Sequence, residues 1–339
     1  MAALKIGGRM SNINIIREQI EKANKIAIVS HINPDADALC SSCALKNIIR
    51  NNFDYKFIDV FVDGEIGELY SPILRNEVIN PIPYSSYDLA IVLDCPTLFR
   101  TGKYQDLIKN TPYTMNMDHH ETNEGFANIN VVSTKVSSTS ELVYLLAKGQ
   151  NYEINNIIAK ELYQGIITDT NCFTSLTLTE RTHQVVSELL KYKFDADAIK
   201  EYYFKNNSKA KMQLLSKALG SMKFYKGDML TTMKISYDTF EKLGASFDDT
   251  MGIIDNGINI SGTAISAILI EDKPGHLYCS LRSKGQIHVG SIAIKFNGGG
   301  SETSAAFQAE GDIKDFESRL VAEILPLLSN VEIKEDPLF

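Results

Sequence analysis

The chain has no uninterrupted apolar stretch approaching the ~18 residues of a membrane-spanning helix. Its opening residues, MAALKIGGRMSNINIIREQI, hold no apolar core followed by a small-residue cleavage site. A cytoplasmic protein without a membrane partner is therefore the expectation. Met10 is a second candidate start, with residues 1–9 as a leader. A basic surplus is also missing. The sequence has 34 Lys and Arg against 42 Asp and Glu, a net charge of −8. That excludes broad coating of long duplex nucleic acid, which needs a basic surface, but leaves room for a small anionic ligand at a local site. Cysteine is scarce and scattered (Cys40, Cys43, Cys95, Cys172, Cys279), so no disulfide framework is expected. Cys40 and Cys43 form a C-x-x-C with no second pair to complete a zinc site. They fall in a helical pattern and read as buried thiols. There is no internal repeat and no low-complexity segment.

What is present has ordinary globular composition, 44% hydrophobic and 22% charged. A length of 339 residues exceeds one compact core, so two domains are expected. Short apolar runs (KIAIVSH, YKFIDVFVD, DLAIVLDC, YTMNMDHH) alternate with helical patterns over the first half. Among the helices, STSELVYLLAKG carries a capping-box pattern from Ser138 to Glu141 and a stop at Gly149. This alternation predicts an α/β fold, a parallel sheet with helices on both faces. Residues 185–225 read as helical and more charged. Strands with hairpin-like spacing follow (DMLTTMKISY, GTAISAILIEDK, HLYCSLRSKG), with a last helix near DFESRLVAEILPLLSN. The expected division is a first domain over 10–190, a helical linker over 191–222 and a smaller α/β domain over 223–335.

Acids and histidines terminate the runs of the first half. His31 follows the first strand, with Asp35 and Asp37 beyond it. Asp94 ends the third, Asp118, His119 and His120 end the fourth, and Asp169 ends a helix. The carboxyl ends of parallel strands form the ligand crevice of open α/β sheets. Singly, each residue has a plainer reading: Asp37 as a helix N-cap, Asp94 as a turn, either histidine as part of a core. Together, so many carboxylates in one crevice would repel and protonate unless a cation neutralises them. Mixed carboxylate and imidazole donors suit Mn²⁺, with Mg²⁺ or Fe²⁺ as alternatives, and their number suffices for two ions sharing one carboxylate. Direct phosphate binding by HINPDAD is excluded, since a phosphate cradle needs glycines and no acids.

With HINPDADALCSS, VLDCPTLFRTG, MDHH and TDTNCF in this order, the sequence resembles the DHH phosphoesterase family, and SLRSKGQIHVGSIAIKFNGGG resembles its associated C-terminal substrate domain. The size resembles the branch that degrades very short oligoribonucleotides and dephosphorylates 3′-phosphoadenosine 5′-phosphate. The resemblance implies that His31 and Asp35 hold one metal, Asp37, His119 and Asp169 the other, and that Asp94 bridges them. It implies His120 as a proton donor or electrostatic contact and Asp118 as the residue that orients His119 or a neighbour. Arg282, Ser283 and the glycines Gly298, Gly299 and Gly300 would contact substrate. Arg100 is a substrate contact or a structural residue. Ser301 departs from the histidine that usually follows those glycines, and a serine brings no positive charge. Asn171 stands where a glycine is common. His288 is a candidate substitute for the missing histidine, or a strand edge or turn residue. Phe296 and Phe307 are candidates to stack on a base, or core. The expected partner is short RNA or a small nucleotide; pyrophosphate, polyphosphate and linear or cyclic dinucleotides are the alternative substrates. A non-catalytic nucleotide-binding protein is a third reading, and the sequence leaves room for a homodimer.

Overall fold

A computed structural model describes residues 11–330 apart from 76 and 176, so the candidate leader lies outside the described residues. The first half runs α1 (Ser11–Lys22), β1 (Lys25–Val29), α2 (Ala36–Asn52), β2 (Phe57–Phe61), α3 (Ser71–Leu74), β3 (Leu89–Leu93), α4 (Gln105–Lys109), β4 (Tyr113–Asp118), β5 (Ile129–Val132), α5 (Thr139–Gly149), α6 (Asn156–Asp169), α7 (Glu180–Leu189) and α8 (Ala196–Phe204). Its five strands form one sheet in the order β2-β1-β3-β4-β5, every pair parallel. Alternation along β1 explains the double burial. Ile26 and Ile28 face the large core built with Ile16 and Ile20 of α1, Leu45 and Ile48 of α2 and Leu142 of α5. Ala27 and Val29 face the opposite side with Ala90, Val92 and Ile108. Burial on both faces is why these strands read as nearly continuous apolar runs.

The second half runs α9 (Lys209–Gly220), β6 (Lys223–Tyr225), β7 (Leu230–Ile235), α10 (Tyr237–Leu243), α11 (Asp255–Ile258), β8 (Ile265–Lys273), β9 (His276–Ser283), α12 (Val289–Ile294), β10 (Gly299–Gly300), β11 (Ser304–Glu310) and α13 (Ile313–Ile324). Its six strands are ordered β10-β11-β9-β8-β7-β6. The hairpin expectation holds for β8 and β9, which are antiparallel, and fails for β7 and β8, which are parallel. A parallel pair needs a crossover, here carried by α10 and α11. Met229, Leu269, Leu281, Phe307, Phe316 and Leu320 belong to the core beneath this sheet. The chain divides into two units between Asn206 and Asn207, so α8 counts with the first and α9 with the second.

Cys40 and Cys43 are free thiols buried inside α2. Ser138 does cap α5 through the amide of Glu141, but the reciprocal half of the expected capping box is absent. The Glu141 carboxylate instead accepts from the amide and hydroxyl of Ser137 and from Thr182 Oγ1. Among the described residues, no helix is long and apolar enough to cross a membrane.

Candidate metal centre

The parallel register sets three strand ends level. Val29 pairs with Val92, and Val92 with Asn116, so His31, Asp94 and Asp118 each lie two residues further along adjacent strands. His31 donates from Nδ1 to the carbonyl of Ile32 at 3.0 Å, which turns Nε2 toward the aspartates; burial opposes a charge on the ring, but Asp94 and Asp35 outweigh it and raise its pKa. That Nε2 lies 3.9 Å from Asp35 Oδ1 and 3.7 Å from Asp94 Oδ2. On the other side, His119 Nε2 lies 3.5 Å from Asp94 Oδ1 and 3.7 Å from Asp169 Oδ2. The donor atoms of His31, Asp35 and Asp94 come within 4.8 Å of one another, and so do those of Asp37, His119 and Asp169. Asp94 thus turns one oxygen to each cluster. It sits in the left-handed region at φ 54°, a conformation that costs a non-glycine residue about 1–2 kcal/mol. Its amide is held by the carbonyl of Met117 and its Oδ1 accepts from Thr139 Oγ1.

The plainer reading of Asp37 is overturned. The residue that caps α2 is Asp35, whose Oδ1 accepts from the amide of Ala38. Asp37 lies inside the first turn, buried, and accepts from two amides at the start of α5: Thr139 N–H to Oδ2 at 2.7 Å and Ser140 N–H to Oδ1 at 3.0 Å. These are amides a helix leaves without internal partners, at the end where its dipole favours negative charge. Gly165 of α6 faces the same spot. A Cβ there would overlap Ser140 Oγ and lie 2.7 Å from Asp37 Oδ1, so the approach of α6 to this carboxylate requires glycine. Sequence reasoning missed Thr139, Ser140 and Gly165, because a Ser-Thr-Ser run before a helix signals only a generic cap.

Asp118 serves His120 rather than His119. Its Oδ1 accepts from His120 Nδ1 at 2.7 Å, and its Oδ2 accepts from Asn123 Nδ2 at 2.6 Å. Asn123 also donates to Asn116 Oδ1, and Asn116 donates to the carbonyls of Val92 and Cys95. This buried chain ties the end of β3 to the end of β4; neither asparagine stood out in the sequence. Although His120 Nδ1 approaches Asp94 to 3.8 Å, its proton is committed to Asp118, which takes that nitrogen out of the ligand set. Burial opposes the charged form of His120, but the Asp118 hydrogen bond and the Asp94 charge outweigh it and raise the pKa to about 9.

Among the described residues no lysine or arginine pairs with Asp37, Asp94 or Asp169, the condition under which buried carboxylates become costly. Burial and mutual repulsion drive Asp37 and Asp169 well above the usual carboxylate range. Asp94 is held below that range despite burial, because His31, His119 and His120 surround it. Burial lowers His119, which keeps it neutral and able to donate a lone pair. Oxygen donors in excess over two imidazoles fit hard or borderline divalent cations, which would relieve the repulsion directly.

The remaining expected site residues fall elsewhere. Arg100 is exposed, in the turn Leu98–Tyr104, and its carbonyl accepts from the amide of Ile32, which braces the His31 loop. In the second unit Arg282 lies on β9, with Nη1 donating to Ser304 Oγ at 2.6 Å. Ser283 is buried and its hydroxyl accepts from Gly285 N–H. The amide of Gly298 donates to Ala293 and that of Ser301 to Ser304, so neither faces outward. Gly299 and Gly300 pair with Ala306 and Ala305 as β10. Gly298 and Gly300 are required by packing against β11, whereas a Cβ on Gly299 would meet open space. His288 caps α12 through Ser291 N–H, which accounts for it structurally. Phe307 is buried and Phe296 half-buried beside it. They stack on one another at 4.8 Å and against Phe316, Phe307 within the core and Phe296 at its edge.

A parallel sheet whose carboxyl ends gather carboxylates and imidazoles into groups that could hold metal ions, with Asp94 facing histidines on two sides, defines the class, an α/β protein with a candidate metal centre. The family model for the DHH family, N-terminal domain, matches residues 25–166, and that for the DHHA1 domain matches residues 232–327. The chain thus carries a DHH N-terminal domain followed by a DHHA1 domain. It is 27% identical to the probable bifunctional oligoribonuclease and PAP phosphatase NrnA of Streptococcus mutans, over 86% of this chain and 91% of that protein. It is 26% identical to the bifunctional oligoribonuclease and PAP phosphatase NrnA of Bacillus subtilis, over 81% of this chain and 86% of that protein. The crystal structure of an exopolyphosphatase-related protein from Bacteroides fragilis superposes with a TM-score of 0.87 at 26% identity, covering 94% of this chain and 98% of that one.

Proposed function

We propose that this chain is a metal-dependent phosphoesterase that hydrolyses very short oligoribonucleotides and 3′-phosphoadenosine 5′-phosphate. The observation that carries the chemistry is Asp94, which turns Oδ2 toward His31 and Oδ1 toward His119. His31 and Asp35 would hold one cation, Asp37, His119 and Asp169 the other, and Asp94 both. Mn²⁺ is the first choice for both positions. When bound, such a pair supplies a water acidic enough to attack phosphorus at neutral pH and positive charge for the phosphoryl oxygens. The substrate choice rests on the named activity of the two NrnA relatives, each aligned over more than four-fifths of both chains.

The chain's own residues supply the rest. Asp118 fixes the His120 ring and raises its pKa, so at neutral pH the imidazolium is populated and Nε2–H is the proton that can pass to the leaving oxygen. Thr139 and Ser140 hold Asp37 in place through their amides. Arg282, within the second unit, carries a guanidinium suited to an anionic group. The test is side-by-side turnover, with Mn²⁺, of a diribonucleotide, 3′-phosphoadenosine 5′-phosphate, a linear dinucleotide bearing a 5′-phosphate, and pyrophosphate. Turnover of the first two is expected; preference for pyrophosphate would defeat the nucleotide reading.

A further inference from the structure

Arg282 is held at Nη1 and faces a carboxylate at Nε. Nη1 donates to Ser304 Oγ at 2.6 Å and to the carbonyl of Leu281 at 3.2 Å. Nε lies 3.8 Å from Asp255 Oδ1. The third edge, Nη2, has no hydrogen-bond partner among the described residues. Ser304 stands directly opposite Arg282 in the β9–β11 register, so the contact is set by backbone pairing. Ser304 is itself placed by a closed turn. Ser301 N–H donates to the Ser304 carbonyl at 2.7 Å, and Ser304 N–H donates back to Ser301 Oγ at 3.1 Å. The Ser301 hydroxyl is therefore turned into its own loop, where it also approaches the Ser304 carbonyl at 3.3 Å. A side chain engaged in this way shapes the turn instead of reaching outward.

We propose that Ser304 is a positioning residue that aims the free edge of Arg282 at a terminal phosphate of a short oligonucleotide, and that Ser301 acts only through Ser304. This rests on the reading of the chain as a nucleotide phosphoesterase. An arginine anchored at Nη1, with a carboxylate near Nε, offers one free N–H edge, and its planar fork is pre-organised for phosphate oxygens. Fixing the guanidinium beforehand removes rotamer freedom that would otherwise be lost on binding. Recognition of a terminal phosphate, rather than of the sugar or base, then becomes what this unit adds.

The affinities of the 5′-phosphorylated diadenylate pApA and its unphosphorylated counterpart ApA are to be measured by calorimetry with Ca²⁺ in place of Mn²⁺. Wild type is expected to favour pApA by about tenfold, at the low end of what one hydrogen bond to a charged group contributes. Ser304→Ala should abolish most of that preference, as Arg282→Ala should, and Ser304→Thr should restore it by keeping a hydroxyl. Ser301→Ala should lower it too, and the double variant Ser301→Ala/Ser304→Ala should be no worse than Ser304→Ala alone. The proposal is overturned if wild type shows no preference, if Ser304→Ala keeps the full ratio, or if the two serine effects simply add. Melting temperatures within a few degrees of wild type separate these results from misfolding. Hydrolysis of bis(4-nitrophenyl) phosphate with Mn²⁺ tests the metal centre independently, so either reading can fail alone.

Discussion

Gly165 offers a test of how tightly the metal centre is built. Gly165→Ala adds one methyl group inside α6, where helix propensity alone would favour alanine by about 1 kcal/mol. The new Cβ would lie 2.7 Å from Asp37 Oδ1 and 2.8 Å from Ser140 Cβ, besides overlapping Ser140 Oγ. The hydroxyl has no hydrogen-bond partner and can swing away, but the other two contacts remain shorter than 3.0 Å. Overpacking of this kind costs about 1–3 kcal/mol. Relief by moving Asp37 would also strain its bonds to Thr139 and Ser140, worth about 0.5–1.5 kcal/mol each even for a neutral acceptor. The cost exceeds the propensity gain. In EDTA the melting temperature should fall by several degrees, at roughly 2–4 °C per kcal/mol for a unit of this size. Mn²⁺ affinity should fall by about 10–100-fold, the usual effect of disturbing a ligand's supporting bonds. Gly149→Ala is the control, since a Cβ there meets nothing within 4 Å. If Gly165→Ala melted at or above the wild-type temperature with Mn²⁺ affinity unchanged, the claim that α6 packs directly on Asp37 would be refuted.

Asp94→Asn removes a charge that both clusters share, so both cations should bind more weakly and Mn²⁺ content after gel filtration should drop further than in Asp35→Asn. Equal loss in the two variants would count against a bridging role. Asp118→Asn removes the hydrogen bond that raises His120, so the imidazolium would deprotonate at lower pH. The alkaline limb of the kcat profile should move to lower pH, with KM little changed; an unmoved limb would exclude His120 as the proton donor. Glu161 is buried on α6, accepting from Asn47 Nδ2, and burial lifts its pKa to about 8. The folded state therefore keeps this proton while the unfolded chain, with an ordinary glutamate pKa of about 4.3, has lost it. Its stabilising effect is complete at acid pH and is lost as pH rises toward about 8. In melts from pH 5 to 8, Glu161→Gln should lose less stability than wild type, and parallel curves would show that the carboxyl does not titrate in this range.

The sheet was legible because double burial turns β1 and β3 into short apolar runs, and the metal centre because acids and histidines stand where those runs stop. Strand direction was not legible in the second unit. Alternation looks the same for parallel and antiparallel neighbours, so β7 and β8 read as a hairpin until α10 and α11 were placed between them. β5 escaped notice because INVV is four residues long and half-buried at the sheet edge. The supporting residues of the centre were hidden for a different reason. Asn116 and Asn123 matter through a hydrogen-bonded chain that links two strand ends, and Thr139 and Ser140 matter through backbone amides that every residue possesses. No residue type signals such a role; only the close approach of α2, α5 and α6 around Asp37 creates it.

Ser301 shows the same limit most sharply. By residue type it is a weak substitute for a histidine, a lone hydroxyl without charge. Its position changes that comparison, because the hydroxyl closes a turn on Ser304, and the β9–β11 register sets Ser304 against Arg282. The link from residue 301 to Arg282 therefore runs through strand register, a property that belongs to three segments of the chain at once and to none of them alone.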